Sequence, residues 1–351
     1  MSIHDILLHL LDIPSPTKEE KNVVSFLRET IHQHSTPSQT FEHDDSLMIS
    51  FGEAPSKKHL SFVGHTDVIP KFFKPYIKEN LCHGAGASDM KGALAVYLWL
   101  IQHTLQKWQS KFNLSFIFYA REENTPLKEN GLYSLIQQFP DFFDTIDLAI
   151  VGEPTDNTVQ LGCMGSLHAT ITVHGQACHS ARPWQGKNAL YESLPLISFF
   201  AKQNPEKKQI FGVDFFDVAT LTEAKAEEGK TSVPGEMTFN LNYRFSPLSS
   251  LEEATKQIHH WASLFENTTW IITDSVYPGK VIQTPFFEST IQTLKAPIGA
   301  KQAWTDVAQL TQRNIPAFNF GPGKQSQAHQ HHEHIDLNDI NHHIQLLEQL
   351  L

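Results

Sequence analysis

The stretch HLSFVGHTDV, residues 59–68, joins a mostly apolar run to two polar residues, His65 and Asp67. The run is typical of a buried strand, and the polar pair follows where such a strand should end. Taken alone, the pair fits two interpretations: a metal ligand with its orienting partner, or polar residues that close a strand. The choice depends on whether other residues suited to a metal lie at neighbouring strand ends.

Strand-like and helix-like segments alternate on both sides of this stretch. The strand-like LMISFG (47–52) precedes it, and the helical run GALAVYLWLIQHTLQKW (92–108) follows. Two further apolar strands come next, NLSFIFYA (113–120) and DLAIVGEP (147–154). This order predicts an α/β domain with a mostly parallel sheet and helices on both faces.

The pattern changes at Gly165. SLHATITVHGQ (166–176) alternates with a period of two residues, as a half-exposed antiparallel strand does. A helix, two strands, a helix and a strand follow, and then α/β character returns. The sequence therefore predicts an inserted α+β domain, residues 165–277, within a discontinuous catalytic domain formed by residues 1–164 and 278–351.

Composition and charge exclude several classes of protein. The net charge is -11 and no cluster of Lys and Arg stands out, which argues against a nucleic-acid partner. The first residues include Asp5 and Asp12 rather than a basic start, and no apolar run approaches the length of a membrane span. Cys82, Cys163 and Cys178 form no paired pattern, which favours a reducing compartment. We therefore expect a cytoplasmic protein with no membrane partner.

Further polar residues follow the predicted strands or precede a helix. In open parallel sheets, ligands gather outside the carboxyl ends of the strands. Each residue alone has an ordinary explanation, since an Asp before a helix is commonly a cap and an adjacent Glu pair is commonly solvated. Their recurrence at corresponding positions of one sheet predicts a site. The residues are Asp89, Glu122, Glu123, Glu153 and His329.

This set of side chains suits a dinuclear zinc site. Zinc binds histidine nitrogen and carboxylate oxygen, and two histidines with three carboxylates, one of them bridging, give each ion three protein ligands. Glu122 and Glu123 are adjacent on extended chain and point different ways, so one can bind metal while the other faces a water. Asp67 lies close enough to accept the second N–H of His65.

Several motifs in order resemble one known family. GHTDV (64–68), GASDMKG (86–92), the Glu pair, VGEPT (151–155) and AHQHHE (328–333) resemble the dinuclear zinc amidohydrolases and peptidases. That family includes succinyl-diaminopimelate desuccinylase, acetylornithine deacetylase, aminoacylase and glutamate carboxypeptidase. The resemblance covers nearly the whole chain. Arg121 departs from it, because a small polar residue is common before the Glu pair.

The resemblance implies two Zn²⁺ ions per subunit, with Co²⁺ as a substitute, and a role for each motif residue. Asp89 would bridge the two ions. One ion would be held by His65, Asp89 and Glu153, and the other by Asp89, Glu123 and His329.

Three further roles come from the same resemblance. Glu122 would be the general base, and Asp67 would orient His65. His179, in GQACHSARP (175–183), would reach the active site of a partner subunit and donate a hydrogen bond to the oxyanion. The inserted domain would pair two subunits into a homodimer and act as a lid. The alternative for His179 is a histidine satisfied within its own turn.

The substrate is expected to be a small N-acyl amino acid. The segments 233–247 and 302–323 most resemble one branch of succinyl-diaminopimelate desuccinylases, which release succinate and LL-2,6-diaminopimelate for lysine and cell-wall precursor synthesis. Arg244 would then bind a substrate carboxylate, because the Arg fork matches carboxylates. Its alternative is an exposed strand charge.

Other functions stay open at this point. N-acetylornithine, or another N-acyl amino acid, is the alternative substrate, because the metal motifs would look the same. A noncatalytic zinc-binding protein of the same fold would be expected to lack a ligand or the base, and none is missing here. The neighbouring histidines of the tail, His331, His332 and His334, have no assigned role and are expected to face solvent.

Overall fold

The structure is a computed structural model that describes residues 1–69, 71–226 and 229–351. The chain divides into two compact units. The first unit contains residues 1–162, 281–299 and 309–351, and the second contains residues 163–280 and 300–308. Residues 300–308, placed in the first domain from the sequence, thus belong to the second unit. Among the described residues, none of the helices has both the length and the apolar character that a membrane span requires.

Helices cover most of the segments that the apolar periodicity marked as helical. The first is capped by Ser2, whose side chain accepts from the N–H of Asp5 while the Asp5 carboxylate accepts from the N–H of Ser2. The helices are α1 (Ile3–Asp12), α2 (Lys21–His34), α3 (Gly92–His103), α4 (Leu105–Lys111), α5 (Gly131–Gln138), α6 (Pro140–Phe143), α7 (Ala189–Glu192), α8 (Leu194–Ala201), α9 (Leu251–Ala262), α10 (Pro285–Leu294), α11 (Val307–Gln312) and α12 (Leu337–Glu348).

Strands of very different length make up the sheets. They are β1 (Gln39–His43), β2 (Ser46–Phe51), β3 (His59–His65), β4 (Tyr76–Lys78), β5 (Leu81–His83), β6 (Asn113–Tyr119), β7 (Leu148–Val151), β8 (Val159–Leu161), β9 (Gly165–His174), β10 (Cys178–His179), β11 (Glu206–Ile210), β12 (Val213–Ala226), β13 (Ser232–Val233), β14 (Glu236–Phe245), β15 (Thr268–Val276), β16 (Ile298–Ala300), β17 (Ala317–Asn319) and β18 (His334–Asp336).

The first unit is built on a sheet in the order β1-β2-β6-β3-β7-β17-β8-β16. Its inner strands β6, β3, β7 and β17 are parallel to one another, whereas β2 pairs antiparallel with both β1 and β6, and β8 pairs antiparallel with β17. The prediction of an α/β fold with a mostly parallel central sheet is confirmed for these inner strands. Their carboxyl ends meet at one edge of the sheet.

Strand β3 lies at the centre of this sheet and is buried along its whole length. Gly64 near its end faces α3 so closely that a Cβ would lie 2.6 Å from the Met90 side chain and 2.7 Å from Leu94. The absence of a side chain at Gly64 therefore lets α3, and the turn that precedes it, approach the end of β3.

The helical run 92–108 is broken once. Thr104 leaves the helical conformation, so α3 ends at His103 and α4 begins at Leu105. The Thr104 hydroxyl donates to the main-chain oxygen of Leu100 at 3.1 Å and accepts from the Trp108 indole at 3.1 Å. A threonine that bonds to the main chain in this way favours a break, which apolar periodicity alone does not reveal.

The second unit carries an antiparallel sheet in the order β11-β12-β14-β9-β15. Alternate residues of β9 and β14 are buried, as the period of two predicted. Helices α8 and α9 contribute Leu196, Phe200 and Ile258 to the same apolar core. The remaining positions of β9 and β14 form a half-buried polar face.

A small sheet in the first unit joins two distant parts of the chain. Its order is β18-β5-β4, and β18 pairs with β5 so that His334 lies opposite His83. The segment that follows His329 is thereby fixed beside the turn that leads into Asp89.

Candidate metal centre

The edge formed by the carboxyl ends of the parallel strands positions four of the predicted site residues. His65 is the last residue of β3. Glu122 and Glu123 follow the end of β6, the neighbour of β3 on one side, and Glu153 follows the end of β7, its neighbour on the other. The parallel register of β3 with both neighbours is what brings these residues to one edge of the sheet.

Asp89 reaches the same edge from the turn before α3. This turn starts at Gly86, which has a φ of 83°, and the peptide bond between Asp89 and Met90 is cis. A Cβ at Gly86 would lie 2.4 Å from Val68, so a side chain has no room there. Asp89 itself is 8% exposed.

The Asp89 carboxylate lies between the two predicted histidine ligands. His65 Nε2 is 3.2 Å from Asp89 Oδ1, whereas His329 Nε2 is 3.8 Å from Asp89 Oδ2. His329 Nε2 is also 3.1 Å from Glu123 Oε1. Three ligand atoms, one from each of His65, Asp89 and Glu123, lie within 4.8 Å of one another. The two oxygens of Asp89 therefore face different histidines, as a bridging carboxylate requires.

The charges of these side chains also fit a cation. Burial alone would lower the pKa of His65, but the hydrogen bond to Asp89 and the nearby carboxylate charges outweigh burial and raise the pKa well above its usual value. The hydrogen bond from His329 to Glu123 likewise raises the pKa of His329. Carboxylate oxygens together with imidazole nitrogens are ligand atoms that zinc binds well.

Asp67 holds the backbone of the Glu pair. Its Oδ1 accepts from the N–H of Glu122 at 3.0 Å, and its Oδ2 accepts from the N–H of Glu123 at 2.9 Å. The hydroxyl of Thr17 donates to Oδ2 at 3.0 Å. His65 Nδ1 lies 3.0 Å from the main-chain oxygen of Asp67 and 3.6 Å from the carboxylate. The bond that orients His65 therefore goes to the Asp67 main chain, and the carboxylate fixes the turn after β6.

Glu122 and Glu153 complete the predicted set at this edge. Glu122 is partly exposed, and its charge contributes to the raised pKa of His65. Glu153 is 7% exposed. Burial raises the pKa of Tyr97, and the charge of Glu153 raises it further. The close group of ligand atoms found in the described residues contains neither Glu122 nor Glu153. Their roles as base and ligand stay predictions.

His179 and Arg244 belong to the second unit. His179 is exposed, and its Nδ1 accepts from the N–H of Ala181 at 3.0 Å. In a neutral ring this assignment leaves Nε2–H as the free donor. Arg244 is half-buried in the polar face of the sheet and donates from Nε to Asn242 Oδ1 at 3.0 Å.

Two residues near the site behave differently from what their motifs alone suggest. Arg121, the departure from the family pattern, donates to the main-chain oxygens of Glu129 at 2.8 Å and Asp44 at 3.1 Å. Glu333 is fully buried, and its carboxylate accepts from main-chain N–H groups around Asp89. The sequence marked Glu333 only as the end of AHQHHE, and its contact with the main chain before Asp89 was missed.

The tail histidines lie outside the group of ligand atoms. His331 and His332 are exposed, and His334 is half-buried. The His334 ring lies 5.2 Å from the ring of His83, which in turn stacks on Tyr76 at 4.6 Å. These rings pack the small sheet rather than extend the site.

Comparison with known proteins places the chain among metal-dependent hydrolases. The model of the family described as peptidase family M20/M25/M40 matches residues 61–351. A succinyl-diaminopimelate desuccinylase of Corynebacterium glutamicum is 29% identical over 97% of this chain and 94% of its own length. Several further curated relatives carry the same name.

Solved structures agree on the fold. A tripeptidase of Staphylococcus aureus has a TM-score of 0.79 and 16% identity, and covers 99% of this chain and 96% of its own. A Bacillus subtilis protein, described as a dinuclear metal-binding peptidase from the M20 family, has a TM-score of 0.70 and 12% identity. That comparison covers 99% of this chain and 96% of the other.

Proposed function

The chain belongs to the peptidase family M20/M25/M40, and on that premise we propose that it hydrolyses the amide of N-succinyl-LL-2,6-diaminopimelate to succinate and LL-2,6-diaminopimelate. The sequence-based prediction of this family is confirmed. The acyl group and the amine are supported by the name that the Corynebacterium glutamicum relative carries, and by its coverage of 97% of this chain. The chemistry is supported by the site itself.

One observation carries the metal assignment: the two carboxylate oxygens of Asp89 face two different histidines. A carboxylate in that position could be shared by two ions, and His65 with Glu153 would complete one ligand set while Glu123 with His329 would complete the other. The donors are imidazole nitrogens and carboxylate oxygens, which suit Zn²⁺ and admit Co²⁺. The dinuclear description of the Bacillus subtilis relative supports the same count.

The general base of the reaction is Glu122. Bound zinc ions would lower the pKa of a water shared between them toward about 7 and polarise the amide carbonyl. Glu122 takes a proton from the attacking water and later gives it to the leaving amine. Its main chain is fixed by Asp67, and it lies near His65, so its carboxylate is held beside the metal-binding edge.

His179 supplies a hydrogen bond to the oxyanion of a second subunit in a homodimer. Its Nδ1 is occupied by the N–H of Ala181, which directs Nε2–H outward as the donor. The second unit exposes a group of large apolar residues that a partner subunit would cover. They are Trp184, Leu190, Tyr191 and Leu194.

Arg244 binds a carboxylate of the substrate. It lies on the polar face of the β9–β14 sheet rather than in open solvent, and burial lowers its pKa from the ordinary value of an arginine. Its Nε donates to Asn242 Oδ1 at 3.0 Å. The two terminal guanidinium nitrogens would then donate to the two oxygens of one substrate carboxylate.

A two-substrate assay tests the proposal. Protein loaded with zinc is given N-succinyl-LL-diaminopimelate or N-acetylornithine, and loss of amide absorbance is followed, with metal-free protein as the blank. We expect the succinyl substrate to be cleaved much faster, and Arg244→Met to raise its KM more than Arg244→Lys does. Faster cleavage of N-acetylornithine would refute the substrate while keeping the metal chemistry. No cleavage of either, with two ions bound, would refute the whole class of substrate.

A further inference from the structure

Glu333 binds the turn that carries Asp89. Its Oε2 accepts from the N–H of Gly86 at 2.7 Å, and its Oε1 accepts from the N–H groups of Ser88 and Asp89, both at 2.8 Å. Its main-chain oxygen accepts from the N–H of Gly84 at 3.1 Å. One residue therefore satisfies the backbone donors on both sides of the turn that presents the shared carboxylate.

The environment of Glu333 makes these hydrogen bonds necessary. The residue is fully buried, and its carboxylate accepts from three main-chain N–H donors. A buried carboxylate is stable only where donors surround it. Replacement by a group that cannot accept all three bonds therefore leaves main-chain N–H groups without partners.

Other contacts limit how else the turn can be held. The Ser88 hydroxyl donates to the main-chain oxygen of His334 at 2.9 Å, so the same segment is bonded twice. On the other side, buried Lys91 donates from Nζ to the main-chain oxygens of Leu10 at 3.1 Å and Ile13 at 2.7 Å. Lys91 anchors the start of α3, whereas the Glu333 carboxylate accepts the N–H of Asp89 itself.

Asp67 makes the same kind of contact with another turn at the candidate metal centre. Its carboxylate accepts the N–H groups of Glu122 and Glu123 at 3.0 and 2.9 Å, just as Glu333 accepts those of Ser88 and Asp89. The turn that carries Asp89 and the turn that carries Glu122 and Glu123 are thus each held by a buried carboxylate from another part of the chain.

We propose that Glu333 is a positioning residue that sets the Asp89 carboxylate between the two metal ions. Since His329 is four residues before Glu333, one short segment supplies a ligand to one ion and fixes the carboxylate that both ions share. Loss of the Glu333 carboxylate should therefore weaken the binding of both ions, although Glu333 would be a ligand of neither. This inference rests on the proposed metal centre.

The test compares metal affinity in three variants. Glu333→Gln replaces one acceptor oxygen with a donor, whereas Glu333→Asp keeps both acceptors on a chain one methylene shorter. Asp217→Asn is the matched control, because Asp217 is also a buried carboxylate that accepts a main-chain N–H, from Ser246 at 2.6 Å, in the other unit. Calorimetric titration with Zn²⁺ and Co²⁺ gives the stoichiometry and the dissociation constants, and near-ultraviolet circular dichroism shows that each variant is folded.

We expect both ions to bind about 10–100-fold more weakly to Glu333→Gln, the usual effect of removing a residue that orients a metal ligand. Glu333→Asp should recover part of the affinity, and Asp217→Asn should match the parent protein. The visible absorption of bound Co²⁺ should change in Glu333→Gln, since the geometry of Asp89 is altered.

Parent affinity and an unchanged Co²⁺ spectrum in folded Glu333→Gln would overturn the proposal. If Glu333→Gln does not fold, Glu333→Asp decides: affinity equal to that of the parent protein overturns it, and affinity reduced for both ions supports it. If the parent protein itself fails to bind two ions, the proposed metal centre fails instead, and that outcome is distinct.

Discussion

Strand β3 carries a histidine at each end, and the two are both buried but differ in the groups that surround their rings. At the amino end, His59 contacts the hydroxyls of Thr145 and Ser115, both at 2.9 Å, and burial lowers its pKa to about 4. At the carboxyl end, His65 contacts Asp89, and the surrounding carboxylates raise its pKa well above the usual value. The surroundings of His59 favour the neutral ring, whereas the surroundings of His65 favour a positive charge beside the carboxylates.

This difference shows what makes a strand-end histidine a metal ligand. Burial does not separate the two residues. The separating feature is the chemistry of the groups that contact each imidazole, because a carboxylate contacts the ring of His65 and two hydroxyls contact the ring of His59. Variants at the two ends of β3 should remove this difference, and a pH titration of stability should measure it.

The largest effect is expected from His65→Gln. This change removes a metal ligand, and we expect kcat/KM to fall about 10⁴-fold, because metal assistance contributes several kcal/mol to the reaction. His59→Gln is the matched control and should leave kcat/KM unchanged in the folded fraction. Equal losses in steady-state assays of the two variants would contradict the distinction between the two ends.

A second effect separates the adjacent carboxylates. Glu122→Gln should lower kcat about 10³-fold while both ions stay bound, because proton transfer is lost and the ligands are intact. Glu123→Gln should instead release the ion beside His329. Metal analysis after gel filtration, with kcat on the same samples, checks both. Loss of metal in Glu122→Gln, or full turnover, would reverse the assignment.

A third effect concerns the two carboxylates near the ends of β3. Asp67→Asn removes an acceptor from the turn that carries Glu122, so we expect kcat to fall about 10–100-fold with little change in KM. Asp147 is the control at the amino end, where it accepts the N–H of His59 at 2.9 Å. Turnover of Asp147→Asn below that of Asp67→Asn would show that the carboxyl end has no special role.

The smallest effect is a pH dependence of stability due to His59. Its pKa is about 4 in the folded chain and near 6.5 when unfolded, so the unfolded chain binds more protons between these values and stability falls as the pH drops through that window. From pH 6.5 to 5.5 the loss should be about 1 kcal/mol. Urea unfolding of the parent and His59→Gln at both values measures it, and identical losses would contradict the pKa of His59.

Most of the central sheet could be predicted from the sequence, because β2, β3, β6 and β7 are apolar runs bounded by turn residues. The site residues could be proposed from the same runs, since His65 ends β3, and Glu122 and Glu153 come shortly after the ends of β6 and β7. Chain order along a parallel sheet is enough to bring such residues to one edge. The assignment of ligands and base from these residues remains a prediction.

Contacts to the main chain could not be predicted in this way. The carboxylates of Asp67 and Glu333 bond to N–H groups, which every residue except proline carries, so no side-chain pattern marks them. The break at Thr104 depends on one hydroxyl within an unbroken apolar period. Residues 300–308 belong to the second unit although they lie in sequence between two segments of the first.

The central claim is that Asp89 bridges two ions, and anomalous diffraction from crystals of the zinc-loaded protein tests it most directly. We expect two peaks about 3.5–4 Å apart, the usual spacing of such pairs. One should lie between Asp89, His65 and Glu153, and the other between Asp89, Glu123 and His329. A single peak bound by His65, Asp89 and Glu123 together would contradict the dinuclear assignment.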